Sequence, residues 1–499
     1  MNIKKGITNS WTMLATTTLT LLLMFLQRSF FIRNLGETAL GLNSLFNSIL
    51  SAISIADVGL DTVLVFVLFK PLEERNSDKI TALLNFIKKI YLSVAAIIFI
   101  VGLIVIPLLP YIIHGRNVTR YVVIIYLLYL VNTILTYTFA EYRVFLNANQ
   151  QSYVVSIVTA IVTVLMTLLQ IIALVVFKSF VVFELIQILA TVAMGVCFWI
   201  YVRKRVSLKK SNVVISSADK KTILMNGIGG LSNRIGTFVV FGSDSVLLSI
   251  FSNLVNVARY SNYMMIINAA VSIVMKSVSA MMPSIGHQVV QQDSAERTTM
   301  FETFNHVIFS ISFTIFGIFL LNVNYFIGLW IGKNQILNMG ITTLLSVNLL
   351  IRLARLGPLN YIDALGLQWQ QRWKPIVEAV VNLTASLLLL SFFKLGLLGI
   401  LLGTLISNLT TVVWMEPKVV FQNGVDLSRN YFVIVIRFLI LVVACLGFYF
   451  YFGNIPSKLT VPDFIMRGFI SSIIVIMLTM IEFLTSKDGI GFLKKLKKG

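Results

Sequence analysis

Eight basic residues lie inside long apolar segments of this sequence, where a charged side chain is expensive. They are Arg28, Arg234, Arg259, Lys276, Arg352, Arg355, Arg437 and Arg467. At about 2.5–3.5 kcal/mol for each lipid-facing charge at mid-membrane, these residues together would cost on the order of 20 kcal/mol or more. We therefore expect some of them to face a water-filled cavity and to attract an anion there.

The depth of each basic residue in its segment separates the candidates. Arg234 and Arg352 each lie about eleven or more residues from either end, which is near the bilayer centre at ~1.5 Å of rise per residue. Arg28 and Lys276 are shallower but could line the same cavity. A guanidinium group is a fixed fork of donors that binds phosphate oxygens in pairs and stays charged. The candidate substrate-binding residues are therefore Arg28, Arg234, Lys276 and Arg352, and the favoured ligand is a phosphate.

A second interpretation is that buried acids neutralise these cations in structural pairs. The candidate acids are Asp57 and Asp61, which are four residues apart on one helical face, together with Asp244 and Glu378. The three aspartates are also candidate sites for a coupling ion, Na⁺ or H⁺. Both interpretations stay open for Arg28 and Lys276, whereas depth favours a substrate role for Arg234 and Arg352.

The sequence gives little support for disulfide, metal or nucleotide chemistry. Cys197 and Cys445 lie in apolar segments, and the three histidines are scattered, so no disulfide framework or metal-ligand spacing appears. No G-x-x-x-x-G-K-[ST] motif occurs, so ATP is not expected to drive a reaction in this chain. We expect no metal, no cofactor and no catalytic residue.

Composition identifies the class of protein that must position these residues. Of the 499 residues, 57% are hydrophobic and 12% are charged, whereas soluble proteins have about 25% charged residues. The formal charge of +20 would suggest a nucleic-acid partner, but no basic stripe with interleaved aromatic residues lies outside the apolar segments. The sequence predicts a polytopic, all-α membrane protein that does not bind nucleic acid.

A transmembrane helix needs about 20 mostly apolar residues. That rule predicts fourteen spans, at 11–32, 41–69, 84–110, 119–140, 152–177, 179–201, 223–250, 257–282, 304–325, 337–362, 374–393, 396–415, 431–453 and 464–486. The first is interpreted as a retained span because it lacks a cleavage pattern. Gly357-Pro358 predicts a bend in span ten.

Loop charges predict the orientation of the spans. With both termini on one side, that side has 25 Lys and Arg residues and the opposite side has seven. Basic residues collect in cytoplasmic loops, so both termini are expected in the cytoplasm. The basic segment 203–222 is interpreted as a cytoplasmic linker between an N-terminal lobe, 1–202, and a C-terminal lobe, 223–420. Residues 421–499 then hold spans thirteen and fourteen and a basic tail that attracts anionic lipids.

Several short patterns resemble the polysaccharide flippases of the Wzx type, whose superfamily also includes lipid II flippases and multidrug and toxin extruders. The patterns are Leu35-Gly36-Glu37 with Gly41, Asp57-Val58-Gly59-Leu60, Tyr361-Ile362-Asp363-Ala364-Leu365-Gly366-Leu367, Arg372, Pro375, Glu378, Asn382, Gly396, Gly399, Gly403-Thr404, Ser407 and Trp414-Met415-Glu416-Pro417. The chain looks most like flippases encoded with capsule, exopolysaccharide or teichoic-acid genes in low-GC bacteria.

This resemblance implies two pseudo-symmetric six-helix lobes around a V-shaped cavity, with two added C-terminal helices. It implies alternating access that moves a polyprenyl-diphosphate-linked oligosaccharide from the cytoplasmic to the outer leaflet of a bacterial cell membrane. The four cationic residues chosen above would then hold the diphosphate. Membrane lipids and polysaccharide biosynthesis enzymes are the expected partners, and a homodimer is neither required nor excluded.

Three other functions are weighed against this expectation. A cation-coupled drug extruder of the same superfamily would need an acid-lined cavity, which the surplus of basic residues disfavours. A membrane polysaccharide polymerase or ligase would need a large outer loop, and the predicted outer loops are short. A scaffold without transport would leave the deep arginines unexplained.

Overall fold

The described part of the chain is all-helical, which confirms the predicted fold class. The structure is a computed structural model that describes residues 3–54, 60–74, 76–113, 118–205, 242–291, 293–452, 459–486 and 489. Side chains are described for these residues except 3–11, 13, 14, 60–63, 205, 279–291 and 452. Eleven helices within these ranges are long and apolar enough to cross a membrane. The chain is a multi-pass membrane protein.

The chain divides into two compact units, Met1–Ala258 and Arg259–Gly499. The helices of unit 1 are α1 (Ile3–Ile53), α2 (Leu60–Glu73), α3 (Ser77–Val105), α4 (Leu109–Ile112), α5 (Arg120–Thr138), α6 (Ala140–Ala148), α7 (Ser152–Val176), α8 (Phe180–Arg205) and α9 (Asp244–Phe251). Helix α10 (Leu254–Gln291) begins in unit 1 and continues in unit 2.

The remaining helices of unit 2 are α11 (Ser294–Trp330), α12 (Met339–Ala354), α13 (Leu356–Ala364), α14 (Lys374–Ser391), α15 (Leu397–Ser407), α16 (Val413–Phe421), α17 (Arg429–Phe452) and α18 (Val461–Thr485). A π-helical turn, Asn408–Val412, joins α15 to α16. Large apolar side chains such as Ile440 of α17 and Phe469 of α18 are exposed, as expected of helices that contact lipid.

Predicted spans one and two are joined by a kink, which corrects the expected break between 32 and 41. Helix α1 continues through this region, and Gly36 has a φ of 83° and a ψ of 174° within it. Glycine adopts this positive φ without the steric penalty of a Cβ atom. Predicted span two is itself two helices, the end of α1 and α2, separated by residues outside the described ranges.

Predicted span ten consists of two helices, α12 and α13, that meet at Arg355. Pro358 has no N–H to donate to the carbonyl of Ala354, and its ring crowds that carbonyl. The helix is interrupted at Arg355, three residues before the proline, where the sequence predicted a bend.

The structure describes predicted span eight but little of predicted span seven. Most of 223–250 lies outside the described residues, so span seven stays a prediction. Span eight lies within α10, but α10 is not among the eleven apolar helices. Polar residues such as Asn262, Asn268 and Lys276 interrupt its apolar run. The predicted lobe boundary at 203–222 also lies almost wholly outside the described residues and remains a prediction.

One close approach of two helices near the resemblance patterns is at Gly403 of α15. A Cβ atom there would be 2.1 Å from the Ser386 hydroxyl oxygen and 2.8 Å from the Ser386 backbone nitrogen on α14. Neither helix can approach so closely with a larger side chain. We expect Gly403→Ala to destabilise the protein by about 1–3 kcal/mol, because an overpacked interface must move apart.

The matched control for this variant is Gly447→Ala in α17, where a Cβ atom would meet nothing within 4 Å. Alanine is a better helix former than glycine by up to ~1 kcal/mol, so the control should be as stable as the wild type or more stable. Thermal unfolding of both purified variants measures the difference. Equal unfolding temperatures for the two variants would refute the close approach of α14 and α15.

Candidate functional site

Arg352 lies on α12 and contacts the neighbouring helix α10. Its Nη1 atom donates a hydrogen bond to the Oδ1 atom of Asn268 over 2.9 Å. The side chain is partly exposed, and its partner in this bond is a neutral amide, which orients the guanidinium group without adding charge. One guanidinium group has five N–H bonds, so this bond uses only part of its donor capacity.

Lys276 lies on α10, eight residues beyond Asn268, which is about 12 Å along a helix axis. Its side chain is also partly exposed. Two of the four predicted substrate-binding residues therefore belong to unit 2, one on α10 and one on the helix that packs against Asn268.

Arg355, only three residues beyond Arg352, has a different environment. Its Nη1 and Nη2 atoms lie 3.1 and 3.4 Å from the two carboxylate oxygens of Glu378, and its Nη2 lies 2.5 Å from Oε1 of Glu416. Lys374 joins both acids, with its Nζ atom 2.7 Å from Glu378 and 2.5 Å from Glu416. These four residues, the ion cluster, contain two positive and two negative charges.

The ion cluster is buried: the side chains of Lys374, Glu378 and Glu416 are at most 5% exposed and that of Arg355 is 11% exposed. It holds the junction of α12 and α13 to α14 and α16. Glu378 is thus a counter-charge, as one predicted interpretation had it. Lys374 is the first residue of α14, and its spacing of four from Glu378 was the available sequence signal for this pair.

Arg28 lies on α1 in a polar region of unit 1. It interacts electrostatically with Tyr129 of α5, and the hydroxyl of Tyr129 is hydrogen-bonded to the buried Glu184 of α8. Beside it, Nε2 of Gln27 donates to Oε1 of Gln170 on α7 over 2.5 Å. Tyr129 thus interacts with both Arg28 and an acid, and the structural and the substrate-binding interpretations both remain available for Arg28.

The other predicted residues are less informative. Arg234 and Asp57 lie outside the described residues, and so does the side chain of Asp61. Asp244 is the first residue of α9 and is 4% exposed. Within the described ranges, no group of three or more His, Cys, Asp or Glu residues is placed to hold a metal ion.

A line of polar residues on α11 is a feature that the sequence analysis missed. Polar residues occupy every fourth position from 294 to 314, which are Ser294, Thr298, Glu302, His306, Ser310 and Thr314. This spacing keeps successive side chains close to one helical face. The regular spacing was the available signal for a polar interface between helices.

This line of residues, the polar seam, fastens α17 and α18 to α11. Ser294 donates to Asp426 over 2.9 Å, and the backbone N–H of Asp426 donates to Thr298 over 2.8 Å. Further along, the hydroxyl groups of Thr314 and Thr479 are 3.0 Å apart. The predicted two added C-terminal helices are therefore attached to the rest of unit 2 through hydrogen bonds as well as apolar contacts.

Solved membrane transporters have a similar fold. The chain is similar to an inward-facing multidrug resistance MATE family transporter of the MOP superfamily (TM-score 0.68, 13% identity, 84% of this chain and 100% of the other). It is similar to the lipid II flippase MurJ in an inward closed conformation, with a TM-score of 0.64 and 12% identity over 94% of this chain and 98% of the other. It is also similar to a MATE transporter of Vibrio cholerae, with a TM-score of 0.55 and 15% identity over 86% of this chain and 98% of the other.

At these identities the similarity establishes the fold alone. A comparison with curated proteins finds no match. The sequence itself provides the family, because the model of the family described as "Polysaccharide biosynthesis protein" matches residues 7–288, which is more than half of the chain. With this match and an all-helical transporter fold, the chain belongs to the polysaccharide biosynthesis protein family.

Proposed function

We propose that this protein is a flippase of the Wzx type that moves a polyprenyl-diphosphate-linked oligosaccharide from the cytoplasmic to the outer leaflet by alternating access. Family membership supports a role in polysaccharide synthesis. The fold shared with a lipid II flippase and with MATE transporters supports a transport mechanism. The substrate would be one made for capsule, exopolysaccharide or teichoic acid, in a bacterial cell membrane with both termini in the cytoplasm.

This proposal rests on the different environments of two neighbouring arginines. Arg355 is neutralised inside the ion cluster, whereas Arg352 is partly exposed and oriented by an amide. An arginine placed inside a membrane-spanning helix is costly, and a bound anionic ligand would offset that cost. A phosphate accepts paired hydrogen bonds from such a group and balances its charge.

We further propose that Arg28, Lys276 and Arg352 contact the diphosphate. Arg234 remains a predicted member of the same set. Asp57, Asp61 and Asp244 remain candidates for a coupling ion or a counter-charge. Polysaccharide biosynthesis enzymes and membrane lipids are the proposed partners.

The second candidate is a cation-coupled multidrug extruder, which the similarity to MATE transporters favours. Cationic drugs are attracted by acids and repelled by basic residues. The exposed positions of Arg352 and Lys276 therefore favour an anionic substrate over a cationic one. A polymerase or ligase is a weaker alternative, because the protein has a transporter fold.

Depletion of the protein in its host is the experiment that tests this proposal. We expect polyprenyl-linked oligosaccharide to accumulate in the cytoplasmic leaflet while surface glycan falls, because synthesis continues and export stops. Extraction and quantification of the lipid-linked intermediate, together with surface glycan, measures both effects. Re-expression of the wild-type protein should restore both to their starting values.

Two other results would contradict the flippase proposal. Unchanged surface glycan with new sensitivity to cationic drugs would favour the extruder. Accumulation of oligosaccharide that has already reached the outer leaflet, detected with a membrane-impermeant glycan-binding probe, would favour a polymerase or ligase.

A further inference from the structure

Three exposed tryptophans of unit 2 have no role in the proposed transport. Trp369 ends a short 3₁₀ turn, Trp373 immediately precedes α14, and Trp414 is the second residue of α16. They are 72%, 63% and 65% exposed, respectively. Tryptophan is highly buried on average in folded proteins, so three exposed rings indicate a surface that something outside the chain covers. These three residues form the tryptophan rim.

The rim lies near one end of the membrane-spanning segments. Trp369 and Trp373 are within the first seven residues of a helical segment long and apolar enough to cross a membrane. Lys374, which follows Trp373, has its Nζ atom 2.5 Å from Oε1 of Glu416, two residues beyond Trp414. This contact brings the start of α14 level with α16. An indole ring is favoured where hydrocarbon meets headgroups, because its body is apolar and its N–H is polar.

Two exposed basic side chains accompany the rim. The guanidinium carbon of Arg372 lies 4.3 Å from the centroid of the Trp369 ring, and its Nη1 atom donates to the backbone carbonyl of Trp369 over 2.9 Å. Lys418 follows Trp414 by four residues on α16, which places two exposed side chains on one helical face. Such side chains keep their charge at headgroup level while their stems contact apolar surface.

These two cations are available to an external anion. Within the described ranges, neither Arg372 nor Lys418 forms an ion pair with an acid. The acids of this region are engaged elsewhere: Glu378 and Glu416 belong to the ion cluster, and Asp363 accepts a hydrogen bond from a neighbouring glutamine side chain. The rim therefore presents two positive charges beside exposed aromatic rings.

An apolar face of α14 continues from the rim. Ile376, Val380 and Leu387 follow Trp373 by three, seven and fourteen residues, which keeps them near one helical face, and all three are exposed. At ~1.5 Å per residue this face extends about 21 Å, most of the ~30 Å hydrocarbon core of a bilayer. Acyl chains can lie along such a face. It favours a lipid over a protein as the occupant.

We propose that the tryptophan rim, Arg372 and Lys418 form a binding site for an anionic phospholipid of the surrounding membrane. The two basic side chains attract its headgroup, and the indole rings contact its glycerol and upper acyl chains. Each basic residue near a membrane surface favours an anionic over a neutral lipid about fivefold. The predicted orientation places the site in the cytoplasmic leaflet. The site does not depend on which substrate the protein transports.

Fluorescence quenching by brominated lipids tests this site in the full-length protein in nanodiscs. Trp11→Phe, Trp199→Phe and Trp330→Phe leave the rim as the remaining tryptophans. The bilayer is phosphatidylcholine with a minor fraction of phosphatidylglycerol, and bromine is carried either by the phosphatidylglycerol or by an equal amount of the phosphatidylcholine. We expect the quenching to report phosphatidylglycerol enriched about fivefold or more at the rim. Equal quenching by the two lipids would overturn the proposal.

Arg372→Gln with Lys418→Gln should remove this preference for phosphatidylglycerol. The matched control is Lys178→Gln with Lys394→Gln, which removes two exposed lysines away from the rim and changes the net charge equally. This control should keep the preference of the wild type. An equal loss of preference in both double variants would mean that overall charge attracts the lipid, and the site would be refuted.

The depth of the rings shows what covers the rim, and this measurement keeps Arg372 and Lys418 in place. In variants with Trp369 or Trp414 as the single tryptophan, bromine near the carbonyl end of the acyl chain should quench more than bromine near the methyl end. Stronger quenching by the deeper bromine would contradict a headgroup site. Quenching by aqueous iodide alone, or by none of the three, would indicate water or a protein partner as the occupant and would also contradict it.

Discussion

Arg352→Met is expected to abolish glycan export while leaving the amount of folded protein close to that of the wild type. Methionine keeps the length and the apolar stem of the side chain but removes its charge and donors. Loss of charge-assisted hydrogen bonds to a phosphate costs about 1.5–3 kcal/mol each, which is roughly a tenfold to hundredfold loss of substrate binding. The measurement is complementation of the depleted host, read as surface glycan and accumulated lipid-linked oligosaccharide at matched protein abundance.

Arg352→Lys separates charge from geometry at this position. Lysine keeps the positive charge but cannot make paired hydrogen bonds in a fixed plane. We expect it to export more glycan than Arg352→Met and less than the wild type. If Arg352→Met exports glycan normally, the guanidinium group does not hold the substrate. If the variant instead disappears from the membrane, the role of Arg352 is structural.

Arg355→Met, the same substitution three residues away, is expected to destabilise the protein severely. Removal of this guanidinium group leaves Glu378 and Glu416 buried with only Lys374 to balance them. Breaking a buried ion pair by removing one partner costs about 3–5 kcal/mol. A loss of this size should lower abundance several-fold, since the unfolded fraction is degraded in cells. Thermal unfolding and abundance in purified membranes measure the effect.

A charge-balanced double variant shows whether the effect comes from charge. Arg355→Met with Glu416→Gln leaves Lys374 and Glu378, whose Nζ and Oε2 atoms are 2.7 Å apart, as a neutral pair. We expect it to recover a substantial part of the lost stability, because no uncompensated charge remains. If the double variant is no more stable than Arg355→Met, the arginine acts through packing. Glycan export per folded molecule of the double variant should stay near that of the wild type.

The different partners of Arg352 and Arg355 could not be predicted from the sequence. Both arginines lie in the same predicted span, and depth alone distinguished them only weakly. The partners of Arg355 are 23 and 61 residues away in the chain, and the partner of Arg352 is 84 residues away. No local pattern specifies which arginine meets acids and which meets an amide, because that depends on how α10, α14 and α16 pack around α12.

The polar seam illustrates the same limit. Its period of four was visible in the sequence, but its partners were not. His306 meets Glu482 across 176 residues, and Thr314 meets Thr479 across 165. Three scattered histidines gave no reason to single out one of them. Only the packing of α11 against α18 produces the buried pair.

The sequence by itself determined that this is an all-helical membrane protein, roughly where most of its spans lie, and which cations are expensive enough to need an explanation. Those conclusions depend on composition and run length, which are local, additive properties of the chain. The tertiary structure decided the kink at Gly36, the break at Arg355 and the pairing of charges in the ion cluster. Those outcomes depend on contacts between distant segments, because the electrostatic cost of a buried charge is set by whichever group lies within a few ångströms of it.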